Sequence, residues 1–329
     1  MFSISLVVIV VIFALTFDYI NGFHDTANAI ATSVSTKALS PRNAIIVAAT
    51  LNFLGALSGT AVAATIGKNI VSPEMVTPVV IIAALIGAIF WNLFTWYFGI
   101  PSSSSHALIG GLVGAVIAGF GFGDVNWAGF TVIFAGLIIT PVIGLVAGSL
   151  VMTILFWVFR GSSPAVINSK FRKLQVVSAC MASFAHGSND AQKTMGIITM
   201  VLVGGGFLST FEVLLWVKIA CASAMAAGTA VGGWKIIRTM GGKIFRIEPI
   251  NGFAADFTAS TVIYSSSLLG VPVSTTHVVS SAIMGVGAAK RLRGVRWNIA
   301  RQIVLAWFVT IPSAAFVALI FYKLISILI

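Results

Sequence analysis

Charged side chains are scarce in this sequence. Only 8% of its 329 residues are Asp, Glu, Lys or Arg, whereas soluble domains carry about 25%. The mean hydropathy is +1.06. A chain with so little charge cannot cover a surface that faces water, which excludes an ordinary soluble enzyme or binding domain.

Cysteine and long polar segments are also nearly absent. The two cysteines, Cys180 and Cys221, lie in apolar stretches, which favours packing over a disulfide or a metal site. The segment 160–173 is the only polar connector of note. The sequence therefore contains no separate soluble domain.

In place of charge, the chain has apolar runs that approach the length of a membrane-spanning helix, about 20 residues. The runs are Phe2–Phe17, Ala44–Ile66, Val79–Ile100, Phe130–Phe159, Val213–Val231 and Ile299–Ile329. They are continuous rather than alternating, which favours helices over a β-barrel. Polar residues follow the first run instead of a cleavage site, so we expect this run to be retained. The sequence predicts an all-α polytopic membrane protein with about 10–12 membrane segments.

Two short patterns occur twice, in the same order. The pattern at 21–29 is matched at 185–193, and the pattern at 100–106 is matched at 271–277. The two aspartates are 165 residues apart and the two histidines of the second pattern 171 residues apart. This nearly equal spacing predicts two repeats. They are a first repeat at 1–160, a cytoplasmic connector at 161–173 and a second repeat at 174–329.

Basic residues predict that the two repeats have inverted topology. The loop 67–77 has one lysine, whereas its counterpart 235–248 has four basic residues. Basic loops face the cytoplasm, so matched loops lie on opposite sides, as in many secondary transporters. The predicted inner loops are 37–43, 160–173, 235–248 and 290–301, and the outer loops are 67–77, 120–127 and 204–210. We expect a multi-pass cell-membrane protein with both termini outside. The net charge of +11 then needs no nucleic-acid partner.

A proline interrupts each repeat, at Pro101 and Pro272. The surrounding segments, Pro78–Gly119 and Ile250–Ala289, must each leave and return to the same side. A re-entrant hairpin is as plausible in each segment as two full spans. Irregular backbone at membrane depth is tolerated only where protein or water covers it, so the breaks predict a cavity.

All four histidines of the chain fall in the duplicated patterns. They are His24, His106, His186 and His277. Ionisable groups inside spans cost about 2.5–3.5 kcal/mol on insertion scales and are functional by default. One histidine alone would more often be a core residue bonded to a carbonyl. Four histidines in duplicated patterns predict a supporting role for them at a functional site.

Hydroxyl side chains follow each proline and suit an oxyanion. They are Ser103, Ser104 and Ser105 in the first repeat and Ser274, Thr275 and Thr276 in the second. Each cluster precedes a predicted helix, whose first N–H groups and positive dipole end also attract anions. The alternative is a helix N-cap with serines that pack. Because the clusters are duplicated beside histidines, we predict an anion site.

Oxygen ligands in the first pattern of each repeat suit a cation. They are Asp25, Asn28, Asn189 and Asp190. Carboxylate and amide oxygens are hard ligands for Na⁺, and a carboxylate can instead carry a proton. A cation beside a multiply charged anion lowers the cost of holding either in a low dielectric. This gives a physical reason for obligatory co-transport.

Other polar residues rank lower. Lys193 can pair with an aspartate or with the anion, or it can merely lock two helices together. Gln192 is a candidate hydrogen-bond partner. Asp256 has no acidic counterpart in the first repeat, where Leu85 occupies the matched position, and Asp18 precedes the first pattern. We therefore placed both of these aspartates below the duplicated pair.

At these residues the sequence resembles the inorganic phosphate transporter (PiT) family. The resemblance is carried by Gly22-Phe23-His24-Asp25-Thr26-Ala27-Asn28-Ala29, by Gly187-Ser188-Asn189-Asp190-Ala191-Gln192-Lys193, and by two Pro-x-Ser-[Ser/Thr]-[Ser/Thr]-His elements. It covers nearly the whole chain. It implies an inverted-repeat secondary transporter, with both termini outside, that moves phosphate with Na⁺ or H⁺.

The resemblance also assigns residues. Its implied cation ligands are Asp25, Asn28, Asn189 and Asp190. Its implied phosphate contacts are among Ser103, Ser104, Ser105, Thr275 and Thr276, with Gln192 nearby. His24 stands where the family signature has asparagine, which exchanges an oxygen ligand for a titratable imidazole. Proton or metal-phosphate coupling therefore stays open beside Na⁺.

Three rival functions remain. A sulfate permease would keep the architecture, but an aspartate can accept the proton that phosphate retains near neutral pH and sulfate lacks. A hydrolase needs one asymmetric nucleophile and base, and the duplication argues against it. A channel is disfavoured because a closed site between inverted halves suits alternating access. The sequence predicts a phosphate symporter in the lipid bilayer, not an enzyme, with no cofactor beyond co-transported Na⁺ or H⁺. It leaves a homodimer open.

Overall fold

The computed structural model describes residues 2–69 and 75–328. Within those residues it contains twelve α-helices and no strand. The helices are α1 Ile4–Ser35, α2 Pro41–Leu57, α3 Ala61–Asn69, α4 Pro78–Phe98, α5 Ser104–Gly119, α6 Trp127–Val158, α7 Pro164–Gly204, α8 Leu215–Val231, α9 Trp234–Arg238, α10 Pro249–Leu268, α11 Thr275–Lys290 and α12 Trp297–Leu328. The predicted all-α class is confirmed. Of the predicted outer loop 67–77, residues 70–74 lie outside the described part of the chain.

The longest apolar helices match the apolar runs of the sequence. In the described residues, α1, α4, α6 and α12 are each long and apolar enough to cross a membrane. The pairs α2–α3 and α8–α9 pass the same test when each pair is taken as one broken span, with bends of 69° and 62°. The polytopic prediction is confirmed. The two bends at 57–61 and 231–234 were not predicted, because the sequence indicated breaks only at Pro101 and Pro272.

The four segments predicted as inner loops all overlap helices. The helix α7 begins at Pro164 and runs for 41 residues, so most of the predicted connector 161–173 forms its first turns. Lysine and arginine are good helix formers, and proline is favoured in the first turn, so a polar sequence here does not require a loop. The segment 235–248 begins in α9, where Ile236 and Ile237 are buried.

Helix contacts repeat from one half of the chain to the other. The helix α1 packs on α8 as α7 packs on α2, and α5 packs on α12 as α11 packs on α6. The helices α4 and α10 likewise contact α12 and α6. The packing pattern of α1–α6 therefore recurs in α7–α12. The inverted orientation and the limits 1–160, 161–173 and 174–329 stay predictions.

Glycines allow the closest helix crossings. A Cβ added to Gly22 of α1 would overlap the α8 backbone at Met225, and one added to Gly187 of α7 would overlap the α2 backbone at Asn52. Small residues let helix backbones approach closely. Both crossings lie one turn before a duplicated aspartate, so they fix the position of Asp25 and Asp190 against neighbouring helices.

Each half contains a hairpin whose irregular segment is buried. Between α4 and α5, Gly99 has a φ of 67°, and between α10 and α11, Gly270 has a φ of 69°. Side chains with a Cβ disfavour this left-handed region, so glycine ends the first helix of each hairpin. The second helix begins inside the protein, where Ser104 and Thr275 are nearly inaccessible. The hairpins thus deliver two helix N-termini to the crossing of α1 and α7.

Candidate functional site

The two duplicated aspartates meet where α1 and α7 cross. Ligand atoms of Asp25, His186 and Asp190 all lie within 4.8 Å of one another. The three side chains are 2%, 1% and 0% exposed. Two carboxylates and an imidazole at this spacing have the geometry of a cation site.

The hydroxyl clusters of both hairpins reach these carboxylates. We call the whole group the central cluster. Its members are Asp25, Asn28, Ser104, Ser105, His186, Asp190, Lys193, Thr275 and Thr276.

Both hairpins donate hydrogen bonds to Asp25. Its Oδ2 accepts from the hydroxyl of Ser104 at 3.0 Å, and its Oδ1 accepts from the hydroxyl of Thr276 at 3.2 Å. Nδ1 of His24 lies 2.7 Å from Oδ1. The second ring nitrogen, Nε2, lies 3.0 Å from the hydroxyl of Thr95 on α4. Within the described residues, the partners of Asp25 are therefore hydroxyls and an imidazole, with no lysine or arginine among them.

Asp190 has a permanent cationic partner. Lys193, one turn along α7, forms an ion pair with Oδ1 of Asp190. The hydroxyl of Thr275 donates to Oδ2 at 2.9 Å, and Nε2 of His186 lies 3.2 Å from Oδ2. The ammonium group of Lys193 also donates to Ser105 and, at 3.0 Å, to the carbonyl of Val273. All three ammonium donors are thus used.

The hydrogen bonds of the two halves correspond to each other. A hydroxyl from a hairpin binds the aspartate of its own half, and the residue three positions after each aspartate binds a hydroxyl of the opposite hairpin. The bond from Ser104 to Asp25 corresponds to the bond from Thr275 to Asp190. The bond from Asn28 to Thr276 corresponds to the bond from Lys193 to Ser105. This correspondence extends the sequence duplication to the geometry of the site.

Two of the predicted anion ligands cap helices. The hydroxyl oxygen of Ser103 accepts from the backbone N–H of His106 at 3.1 Å, and that of Ser274 accepts from the N–H of His277 at 3.3 Å. The N-cap alternative therefore describes these two serines, although each hydroxyl proton can still be donated. The first N–H groups of α5 and α11 have no intrahelical partner, as at every helix start, and they belong to residues that include Ser104, Ser105, Thr275 and Thr276 of the central cluster.

His106 and His277 lie behind these helix starts as a packed pair. Their ring centroids are 4.3 Å apart in an edge-to-face arrangement, and His277 stacks on Trp307 at 3.9 Å. Both histidines line an apolar cavity of about 510 Å³ between α6 and α12. The structure thus gives the two histidines a position that supports α5 and α11 from outside the central cluster.

Two predicted site residues lie at the periphery. The amide nitrogen of Asn189 donates to Ser267 of α10 at 3.0 Å. The side-chain oxygen of Gln192 accepts from the backbone N–H of Val62 at 2.8 Å, at the start of α3. The structure does not bring either side chain into hydrogen-bonding contact with the central carboxylates.

A polar stripe along α1 extends beyond the predicted site residues. Asp18, Asn21, Asp25, Asn28 and Thr32 are spaced by three or four residues and share one helix face. At the far end, the hydroxyl of Thr32 lies 2.7 and 2.8 Å from the two oxygens of Asp256, which is 1% exposed. The helical spacing of polar residues in an apolar helix was the signal that could have found this stripe.

The central cluster has an unbalanced charge. With neutral imidazoles, two carboxylates face one ammonium group, which leaves one negative charge. Two like charges about 5 Å apart repel by about 3 kcal/mol at an effective dielectric constant of about 20. A further anion placed beside these groups would be repelled by this net negative charge.

Comparison with known proteins identifies the family and the fold of the chain. The sequence matches the profile of the phosphate transporter family over residues 21–318. It is 51% identical over 326 residues to a probable low-affinity inorganic phosphate transporter of Bacillus subtilis (strain 168), with 98% of each chain covered. It is 50% identical over 311 residues to a probable low-affinity inorganic phosphate transporter of Rhizobium meliloti (strain 1021), with 94% of this chain and 93% of the relative covered. A solved structure of a sodium-dependent phosphate transporter shares the fold with a TM-score of 0.89 and 25% sequence identity, covering 99% of this chain and 100% of that one.

Proposed function

The chain belongs to the phosphate transporter family, and we propose that it is a symporter in which a cation bound at Asp25 and Asp190 allows phosphate to bind between α5 and α11. It is a multi-pass membrane protein that transports phosphate, and its relatives are transporters rather than enzymes. The names of these relatives favour phosphate over the sulfate alternative.

One observation carries the proposal: two buried carboxylates stand within 4.8 Å of each other, and in the part of the chain that the structure describes only one of them has a lysine partner. A phosphate dianion brought beside this group would face a net negative charge in a low dielectric. Binding a cation first removes that repulsion. Substrate binding then depends on the cation, which is the thermodynamic condition for symport.

The predicted phosphate ligands support the same mechanism. The hydroxyls of Ser104, Thr275 and Thr276 donate to the carboxylates. When a cation takes over the carboxylate oxygens, these hydroxyl protons become free to bind phosphate. The N-termini of α5 and α11 add backbone N–H groups and positive dipole ends. Ser103, Ser105 and Ser274 complete the proposed anion site.

For the cation, we propose Na⁺ first. The structural relative is sodium-dependent, and the side-chain oxygens of Asn28 and Asn189 accept no hydrogen bond within the described residues. They can complete a shell of hard oxygen ligands around Asp25 and Asp190. The imidazole of His24, 2.7 Å from Asp25, favours H⁺ as a second candidate, since it can share a proton with the carboxylate.

For the orientation, we propose the cell membrane as the location, with both termini outside. The exposed basic residues at the start of α7 then face the cytoplasm, as the positive-inside rule requires. Lys170, Arg172 and Lys173 are the basic residues of this segment. Cysteines introduced singly at 165 and at 208 should react with impermeant reagents from opposite sides. Labelling of both from the same side would contradict this orientation.

Uptake of radiolabelled phosphate into proteoliposomes tests the function. Na⁺ and pH gradients are applied separately at equal external phosphate. We expect accumulation above equilibrium with at least one gradient, and no accumulation when Asp25→Asn protein is used. The control is Asp124→Asn, because Asp124 is an exposed acidic residue distant from the site. Uptake that ignores both gradients would contradict symport, and equal uptake of sulfate would contradict the assigned substrate.

A further inference from the structure

The cavity between α6 and α12 plays no part in the proposed transport mechanism. Its volume of about 510 Å³ falls within the range of small-molecule sites, about 300–1,000 Å³. Most of its lining is aliphatic or aromatic, as at Phe130, Leu137, Val304 and Ile311. None of the described residues that line it is an aspartate, glutamate, lysine or arginine. A ligand of this cavity must therefore be largely apolar and carry no charge.

The cavity opens toward lipid. Val142 of α6 and Phe308 of α12 line it, and they are 59% and 64% exposed. Both residues lie near the middle of long apolar helices, Trp127–Val158 and Trp297–Leu328. The middle of a membrane-spanning helix lies in the hydrocarbon core of the bilayer. A ligand therefore enters the cavity from the hydrocarbon core, out of reach of the charged headgroups.

Three side chains that line the cavity have polar atoms without partners. Nε2 of His106, Nε2 of His277 and Nε1 of Trp307 form no hydrogen bond within the described residues, and the two histidines are 2% and 1% exposed. Nδ1 of His106 donates to the backbone carbonyl of Trp307 at 3.3 Å, so in the neutral imidazole Nε2 is an acceptor. Nε1 of Trp307 can only donate. The wall thus has an unused acceptor and an unused donor.

Two prolines add backbone acceptors at the same wall. Pro141 and Pro312 line the cavity at matched positions of α6 and α12, 171 residues apart. Proline has no N–H to bond the carbonyl four residues earlier. Those carbonyls belong to Leu137 and Phe308, which also line the cavity. The wall therefore offers more acceptors than the one fixed donor of Trp307, and a ligand that matches it must itself donate.

The polar atoms select among the neutral molecules that a bilayer contains. A hydrocarbon tail alone leaves every one of them unpaired. An ester or a ketone accepts from Trp307 but cannot donate to His106. A protonated carboxylic acid does both, and its alkyl chain suits the apolar lining. We propose that this cavity binds a long-chain fatty acid in its neutral form, whose O–H group donates to Nε2 of His106 and whose carbonyl oxygen accepts from Nε1 of Trp307.

Photoaffinity labelling tests this proposal. The probe is palmitic acid with a diazirine group in its chain, added to purified wild-type protein in phosphatidylcholine nanodiscs. Adducts located by mass spectrometry should lie on the parts of α6 and α12 that line the cavity, around Val142 and Phe308. Excess palmitic acid should prevent this labelling. Methyl palmitate lacks the O–H donor, so its half-inhibiting concentration should be about five-fold higher, the effect of losing one hydrogen bond.

Two variants with matched controls locate the site. Val142→Trp fills the mouth of the cavity and should abolish the labelling for which palmitic acid competes. Its control is Val146→Trp, because Val146 is 58% exposed on the same helix but does not line the cavity. Trp307→Phe keeps an aromatic ring and removes the N–H donor, so the half-inhibiting concentration of palmitic acid should rise about five-fold. Its control is Trp297→Phe, since Nε1 of Trp297 donates to the carbonyl of Leu292 at 2.9 Å.

Equal competition by methyl palmitate and palmitic acid would overturn the proposal, because the cavity would then hold hydrocarbon chains without regard to the carboxyl group. Labelling spread evenly over the lipid-facing surfaces of α6 and α12 would also overturn it. Val142 and Val146 are both at the surface, so both variants are expected to fold. If Val142→Trp does not fold, Trp307→Phe decides, since an unchanged half-inhibiting concentration contradicts the proposed hydrogen bond. None of these measurements needs phosphate or Na⁺, so their outcome is independent of the proposed function.

Discussion

The two halves of the central cluster have the same hydrogen-bond pattern but not the same charge. In each half, an aspartate accepts from a hydroxyl at the start of a hairpin helix, at 3.0 Å for Asp25 and 2.9 Å for Asp190. Three residues after each aspartate, the halves differ: Asn28 occupies the position in α1 and Lys193 the position in α7. The fold is duplicated here, and the charge is not.

We propose that this difference gives the two aspartates separate roles. Lys193 permanently compensates the charge of Asp190, so Asp190 can contribute an oxygen ligand to the proposed cation site without adding an unpaired charge. Asn28 donates to Thr276 at 3.0 Å and carries no charge, so Asp25 is left to an exchangeable cation. A transporter needs a site that is incomplete without its coupling ion, and the asymmetry between Asn28 and Lys193 provides one.

Removing the permanent charge should have the largest effect on stability. Lys193→Met leaves Asp190 buried without its partner, and breaking a buried pair in this way costs about 3–5 kcal/mol. The midpoint of thermal unfolding in detergent should fall strongly. The control is the exposed Lys170→Met, which should unfold as the wild type does. Equal stability of Lys193→Met would mean that Asp190 is not charged in the resting protein.

Removing the exchangeable charge should affect transport and not stability. Asp25→Asn keeps the shape of the side chain and removes the charge that binds the cation. An interaction of about 3 kcal/mol corresponds to a loss of about 100-fold in coupled uptake. The midpoint of unfolding should stay near that of the wild type, in contrast to Lys193→Met. Near-normal uptake by folded Asp25→Asn would show that the coupling cation does not bind at this carboxylate.

Making the two halves alike should reduce the need for the cation. Asn28→Lys places an ammonium group beside Asp25, as Lys193 does beside Asp190. Phosphate binding in the absence of Na⁺ should tighten by about ten-fold, equivalent to about 1.4 kcal/mol, while gradient-driven uptake falls. Isothermal titration at fixed pH measures the binding. If Asn28→Lys without Na⁺ binds phosphate as weakly as the wild type without Na⁺, the result would argue against charge compensation.

The smallest effects are expected at the matched hydroxyls. Ser104→Ala and Thr275→Ala each remove one proposed phosphate donor, and a hydrogen bond of about 1 kcal/mol corresponds to about a five-fold rise in half-saturating phosphate. Ser149→Ala is the control, because that hydroxyl donates to carbonyls between α6 and α11. If both variants transport phosphate with wild-type concentration dependence, the anion site lies elsewhere.

Much of the fold follows from the sequence because membrane helices must be long and apolar. The six apolar runs correspond to α1, the α2–α3 pair, α4, α6, α8 and α12. The positions of polar residues predicted the helix ends less well than the apolar runs predicted the helices themselves. The basic start of α7 was assigned to a connector, although a helix that begins at Pro164 can continue beyond the bilayer with its charged side chains in water.

Duplication identified the core of the site but not its asymmetric parts. Asp25, Asp190 and the paired hydroxyls recur at fixed spacing, so the sequence alone could group them. Asp256 and Asp18 have no acidic counterpart and were ranked low, yet both are buried against distant elements. Gln192 follows the aspartate by two positions and therefore projects from another face of α7, where it contacts α3. Contacts between distant segments could not be read from local patterns.

The most direct measurement is the affinity of the purified wild-type protein for phosphate as Na⁺ and pH are varied independently, with no membrane gradient present. Our account predicts that added Na⁺, or added protons if H⁺ is the coupling ion, tightens phosphate binding by at least about ten-fold. Phosphate that binds equally well at every Na⁺ concentration and pH would show that the anion enters a site with no charge to compensate, and the coupling mechanism would be wrong.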